Sequence, residues 1–232
     1  MATVNLTRAQ AKTLAKTLMD EKGALFWTDA QMNALFDEAN RTVWRMLVKA
    51  NPGHYHTSTD FAWPADTEIQ DIVSDCGVAA VPYKILGIES KETAGSVTSA
   101  NLPAKWKPMM FQDRTKFLQD SSPYWVPRGR YYCLRGTKLF VAPLPGEALQ
   151  CTIFYIQMLD KVTSDATECL GGMAESFHDS VAYCLAWLMN SKQNGQNPTI
   201  VRLWESSKLE IEQHAEEINA DEPRQVRYIG HH

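Results

Sequence analysis

Residues 175–192, ESFHDSVAYCLAWLMNSK, decide the fold. Apolar side chains recur at helical spacing through Met173, Phe177, Val181, Cys184, Leu185 and Leu188. Ala182, Ala186, Trp187 and Met189 carry apolar surface around the remaining sides. A helix apolar over most of its circumference has to be surrounded, which predicts a central place in a helical bundle. Its partners must come from elsewhere in the chain.

Toward the C-terminus a polar turn over 190–197 leads to Asn197-Pro198, a cap followed by a first-turn proline. Ile200, Trp204, Ile211, Ala215 and Ile218 then form one stripe, and residues 221–232 lack any period and read as an extended arm. At the other end, Thr7 with Gln10 and Thr28 with Gln31 are two T-x-x-Q capping boxes. Leu14 and Leu18 continue the first helix, with Gly23 as its stop. Trp27 is placed to staple onto Met32, and Met32, Leu35, Phe36, Ala39, Val43, Met46 and Leu47 form a stripe that ends at Asn51-Pro52-Gly53. Each terminal helix pair exposes a stripe that a lone hairpin cannot hide. The expected fold is therefore α+β, with a four-helix bundle built from N- and C-terminal helical hairpins.

Between the helical ends the period drops to two. Tyr55, Thr57, Thr59, Phe61 and Trp63 share a strand face, and residues 83–88 and 149–158 read as further strands. Residues 130–134 and 138–141 flank Arg135-Gly136 as a hairpin, and residues 113–119 read as a short helix. The expected organisation is a bundle from 1–53 and 161–220, a β-rich insertion over 54–160, and an arm over 221–232.

The chain has 232 residues, is 44% hydrophobic, and sets 23 Lys+Arg against 27 Asp+Glu. That excludes wholesale disorder and argues against a protein devoted to gripping phosphates. No run of about 18 apolar residues suggests a membrane span, and residues 1–5 do not read as a signal peptide. The five cysteines, Cys76, Cys133, Cys151, Cys169 and Cys184, contain no CxxC spacing. They are expected to be reduced, small apolar residues.

No P-loop, GxGxxG, HExxH, GxSxG or EF-hand pattern is present. His54, His56 and Asp60 make an incomplete metal shell. His178, Asp179 and Ser180 are consecutive on a helix and point in different directions, so they cannot form a relay. The expectation is a chain that is not an enzyme and takes no cofactor or metal. Charge is unevenly placed: residues 105–138 carry Lys105, Lys107, Arg114, Lys116, Arg128, Arg130, Arg135 and Lys138, interleaved with aromatics, while the last helix carries Glu205, Glu210, Glu212, Glu216 and Glu217. Arg114, Lys116, Arg128 and Arg130 on one copy could face Glu205, Glu210, Glu212 and Glu216 on the next, a head-to-tail arrangement. The alternative is a nucleic-acid-binding module using 105–138.

In order, several segments resemble those of bacteriophage head-to-tail adaptor (connector) proteins. FWTDAQMNALFDEANRTVWRMLV is similar to the family's opening helix at Trp27, Thr28, Asp29, Gln31, Met32, Phe36, Glu38, Ala39 and Arg41, with Asp37 where an Asn is usual. VPYKILGIES resembles its Lys/Arg-Ile-Leu strand, and GRYYCLRGTKLFVAPLP its hairpin. ESFHDSVAYCLAWLM resembles its late helix, at His178, Ala182 and Ala186. The resemblance implies a structural virion protein of the neck, assembled in the host cytoplasm. It would be a homo-oligomeric ring, commonly of twelve copies, joining the portal protein to a tail tube or nozzle protein while double-stranded DNA passes through the lumen. It also implies a C-terminal segment reaching the portal, for which the candidates are Asp221, Glu222, Pro223, Arg224, Gln225, Val226, Arg227, Tyr228 and Ile229.

Overall fold

A computed structural model describes residues 5–20, 26–92, 104–110, 130–193 and 197–221, with backbone only for 91–92, 104 and 215–221. The chain divides into a unit made of Met1–His54 with Leu159–His232 and a unit made of Tyr55–Met158.

In the first unit, α1 spans Arg8–Leu18 and α2 spans Asp29–Ala50. Both begin at complete capping boxes: Thr7 and Thr28 accept from the backbone N–H of Gln10 and Gln31, whose side chains accept in return from the cap residue's N–H. The third helix, α3, spans His178–Lys192, and α4 spans Pro198–Asp221. Asn197 Oδ1 accepts the Thr199 N–H at 3.0 Å, so the cap before Pro198 closes as its residue type requires.

The helices are not a four-helix bundle of terminal hairpins. Instead α3 is a hub that touches α1, α2 and α4, while α1 and α2 barely meet. The reason lies in the face that α1 buries. Ala11 and Ala15 are fully buried, and Leu14 and Leu18 stay half-buried. Two alanines let the helix approach α3 closely but offer little apolar surface to a second helix. The start of α1 is also tied to 162–169. The N–H groups of Arg8 and Ala9 donate to Thr167 O and Asp165 O, and Cys169 N–H donates to Leu6 O. On α2 the buried side is broader than the expected stripe, because Asn40, Trp44 and Val48 join it while Met46 is only half-buried.

Among the described side chains of α4 the expected Ile200, Trp204 and Ile211 are buried and Ser207 joins them, a seam of period 3.5; the side chains of Ala215 and Ile218 lie outside the described set. The Phe177 and His214 rings lie 5.1 Å apart. Asp221, expected to open an extended arm, is the last residue of α4, and the rest of the arm lies outside the described residues.

The second unit is large and has its own core. The strands are β1 Thr57–Trp63, β2 Ile69–Asp71, β3 Lys84–Glu92, β4 Ala104–Lys105, β5 Lys107–Pro108, β6 Tyr131–Arg135, β7 Lys138–Ala142 and β8 Leu149–Ile156. One sheet runs β1-β8-β3-β4 and the other β2-β7-β6-β5. β6 and β7 form the expected hairpin, turning through Gly136 at φ +62°, a conformation glycine adopts without penalty. Phe61, Trp63, Ile88, Cys151 and Ile153 of the first sheet share one buried cluster with Tyr132, Leu139 and Val141 of the second. Period-two alternation places these side chains on the inner faces.

Residues 104–108 pass from one sheet to the other, with Trp106 between β4 and β5. Its N–H donates to Ile88 O, its indole N–H donates to Ser90 Oγ at 2.8 Å, and its ring meets Trp63 edge-on at 5.4 Å. Residues 113–119, expected as a short helix, lie outside the described residues.

Candidate assembly surface

In the helical unit a junction locks the start of α3. His178 is fully buried. The Leu6 N–H donates to its Nδ1 at 3.1 Å, so the ring proton sits on Nε2 and faces Met173 O at 3.1 Å. The imidazole, at the first position of α3, thus clamps two chain segments. Asn40 Oδ1 accepts the Leu170 N–H at 2.8 Å within the core. These bonds hold a contorted segment, in which Leu170, Gly171, Gly172 and Ala174 all have positive φ. For Leu170 and Ala174 that conformation is strained.

Beside this junction lies an open groove of about 550 Å³, lined by Arg8, Ala30, Ala34, Asp37, Arg41 and Lys161 among others. Arg8 forms one wall and is itself buried. Its guanidinium donates to Asp165 Oδ1 at 2.6 Å and to Val162 O at 2.9 Å. Lys12 Nζ reaches the same carboxylate at 2.9 Å and Asn33 Oδ1 at 2.9 Å. Hydrogen bonds from Lys12 and Arg8 hold the Asp165 carboxyl below its ordinary 3.8. Asp37 and Arg41 take part in none of the ion pairs among the described residues. They follow Ala30 and Ala34 on the outer side of α2 at intervals of four, three and four residues, a single helix face.

The outward side of α4 is also largely uncovered. Val201, Glu205, Leu209 and Glu212 are exposed, and Leu209 is 57% exposed. Lys208 Nζ bonds Glu205 Oε1 at 2.6 Å and lies 5.7 Å from the centre of the Trp204 ring. Glu210 is exposed but stands close enough to Tyr183 to help burial raise that phenol's pKa. Glu216 lies on the same helix, its side chain outside the described set.

Of the basic partners expected from sequence, Arg114, Lys116 and Arg128 lie outside the described residues. Arg130 is half-buried in the β-rich unit, with Nη1 3.5 Å from Ser90 Oγ. Lys105 and Lys138 pair with Glu89 and Asp71 at 3.7 and 3.2 Å, while Trp106 and Tyr132 are buried. Trp106 and Tyr132 thus serve the core, while Tyr131 is half-buried. From the C-terminal arm, Glu222, Pro223, Arg224, Gln225, Val226, Arg227, Tyr228 and Ile229 lie outside the described residues.

Asp60 accepts from Thr152 Oγ1 at 2.6 Å across β1 and β8, and among the described residues no group of three or more His, Cys, Asp or Glu could hold a metal ion. All five cysteines are buried and none forms a disulfide. Burial pushes the thiols of Cys76, Cys151, Cys169 and Cys184 up to about 12. No helix among the described residues is long and apolar enough to cross a membrane.

Neither a protein-family model nor a curated protein matches the chain.

Proposed function

We propose that this protein is a structural adaptor that assembles into a ring between the portal and the tail of a bacteriophage particle and lets DNA pass through its lumen. The observation that carries the reading is the outward side of α4, where Val201 and Leu209 are exposed near Glu205 and Glu212. Over residues 198–214 the buried side chains are Ile200, Trp204, Ser207 and Ile211, which leaves the opposite side of the helix available to another chain. The groove along α2 is a different surface, and two unlike patches on one chain generate a head-to-tail ring when the rotation closes. The ordered resemblance from Trp27 to the last helix supports the same class. In this reading residues 222–232 form the arm that docks on the portal.

The test is electron microscopy of the purified chain mixed with its portal protein. An annulus of repeated copies on the portal is the expected result, and a chain that stays monomeric beside the portal refutes the reading. Removing residues 222–232 should weaken portal docking while leaving the melting temperature of the free chain within about 2 °C, the range of a surface change.

A further inference from the structure

The two outward helix faces share one spacing. On α2 the positions are Ala30, Ala34, Asp37 and Arg41; on α4 they are Val201, Glu205, Lys208 and Glu212. Both run at intervals of four, three and four residues, the repeat of a helix seam that faces a partner helix. Laid side by side in parallel, the faces match apolar to apolar at Ala30 and Val201. Opposite charges then meet at Asp37 with Lys208 and at Arg41 with Glu212. Along each helix the matched stretch covers about 16 Å at 1.5 Å per residue. We infer that α4 of one copy docks in the α2 groove of the next, in this register.

This inference rests on the ring reading and gives its seam. Ala30 is small and exposed, which leaves room for the larger Val201 to sit against it. Lys161 lines the same groove and is free to face Glu205 once Lys208 swings to Asp37. The two faces have opposite charge order, so an antiparallel or slipped register would place like charges together and is disfavoured. The occupant is a second copy because the complementary face is present on this chain.

The test uses charge exchange in the full-length chain. Arg41→Glu and Glu212→Arg are each expected to weaken self-association by roughly tenfold or more in sedimentation at low salt. Mixing the two variants should restore association, since the carboxylate introduced at position 41 of one chain then meets the guanidinium introduced at position 212 of the other. A misfolded variant cannot be rescued that way, and circular dichroism of each chain alone checks the fold. Association unchanged in both single variants overturns this seam but leaves the ring reading standing if annuli still form. A wild-type chain that remains monomeric at every concentration, alone and with the portal, overturns both. Loss of binding to a 24-base-pair duplex in Arg41→Glu, with self-association intact, assigns the groove to nucleic acid and also overturns the seam.

Discussion

Replacing Asn40 by Ala tests the junction at the start of α3. Asn40 is 1% exposed, and its Oδ1 accepts the Leu170 N–H at 2.8 Å. Truncation leaves that N–H buried without a partner, at a cost of about 1–3 kcal/mol. Working the other way, Ala is the better helix former inside α2 by up to about 0.7 kcal/mol. The net expectation is a loss of about 1–2 kcal/mol, because the orphaned donor outweighs the propensity gain. Urea unfolding followed at 222 nm measures the loss, and amide hydrogen exchange at Leu170 locates it. If Asn40→Ala matched or exceeded the wild type in stability, with the Leu170 amide still protected, the claim that this bond pins the contorted segment would be wrong.

Three further outcomes concern other parts of the molecule. Ala174→Gly should stabilise the chain by up to about 1 kcal/mol, since relief of a left-handed backbone at φ +52° exceeds the added entropy of glycine; a destabilised variant in the same urea assay would count against strain at that position. Native protein should react slowly with a thiol reagent at pH 8 and release all five thiols on unfolding, because the cysteines are buried and four of them have thiols raised to about 12; fast stoichiometric labelling of the folded chain would contradict this. Asp165→Asn should lower stability at neutral pH. Because the folded Asp165 carboxyl lies below its ordinary 3.8, its contribution is present above that value and is lost as pH falls through the folded pKa. The gap between wild type and variant should therefore narrow in acid, and a pH-independent gap would remove the ion pair from the account.

What the sequence made legible was local. The capping boxes at Thr7 and Thr28 need only residues three apart, and the 131–142 hairpin needs only alternation around Gly136. What it hid was the choice of partner. Leu14 and Leu18 looked like the buried face of α1, yet Ala11 and Ala15 hold it, because Arg8 is anchored to Asp165 and Val162 across more than 150 residues. Hydrophobic period reports that a face is buried and says nothing of which element buries it. That is why two expected hairpins became three helices around α3. The groove was invisible for the same reason, since Arg8, Arg41 and Lys161 are far apart in the chain. His178 carried no signal of its clamp, because both of its partners are backbone groups. The run of glutamates in the last helix was legible as composition on one continuous element.

The way the two units share the chain sets the order of events at the ribosome. Residues 55–158 are contiguous, so the β-rich unit has all of its strands once that stretch has emerged. The helical unit does not, because its hub is made near the end. At about 5–20 residues per second, the nascent α1 and α2 wait on the order of ten seconds between the synthesis of Ala50 and that of His178. Throughout that interval the face bearing Phe36, Val43 and Trp44 has no α3 to cover it. A holding chaperone has its natural target there, and premature termination between Met158 and α3 leaves a complete β unit trailing a sticky leader.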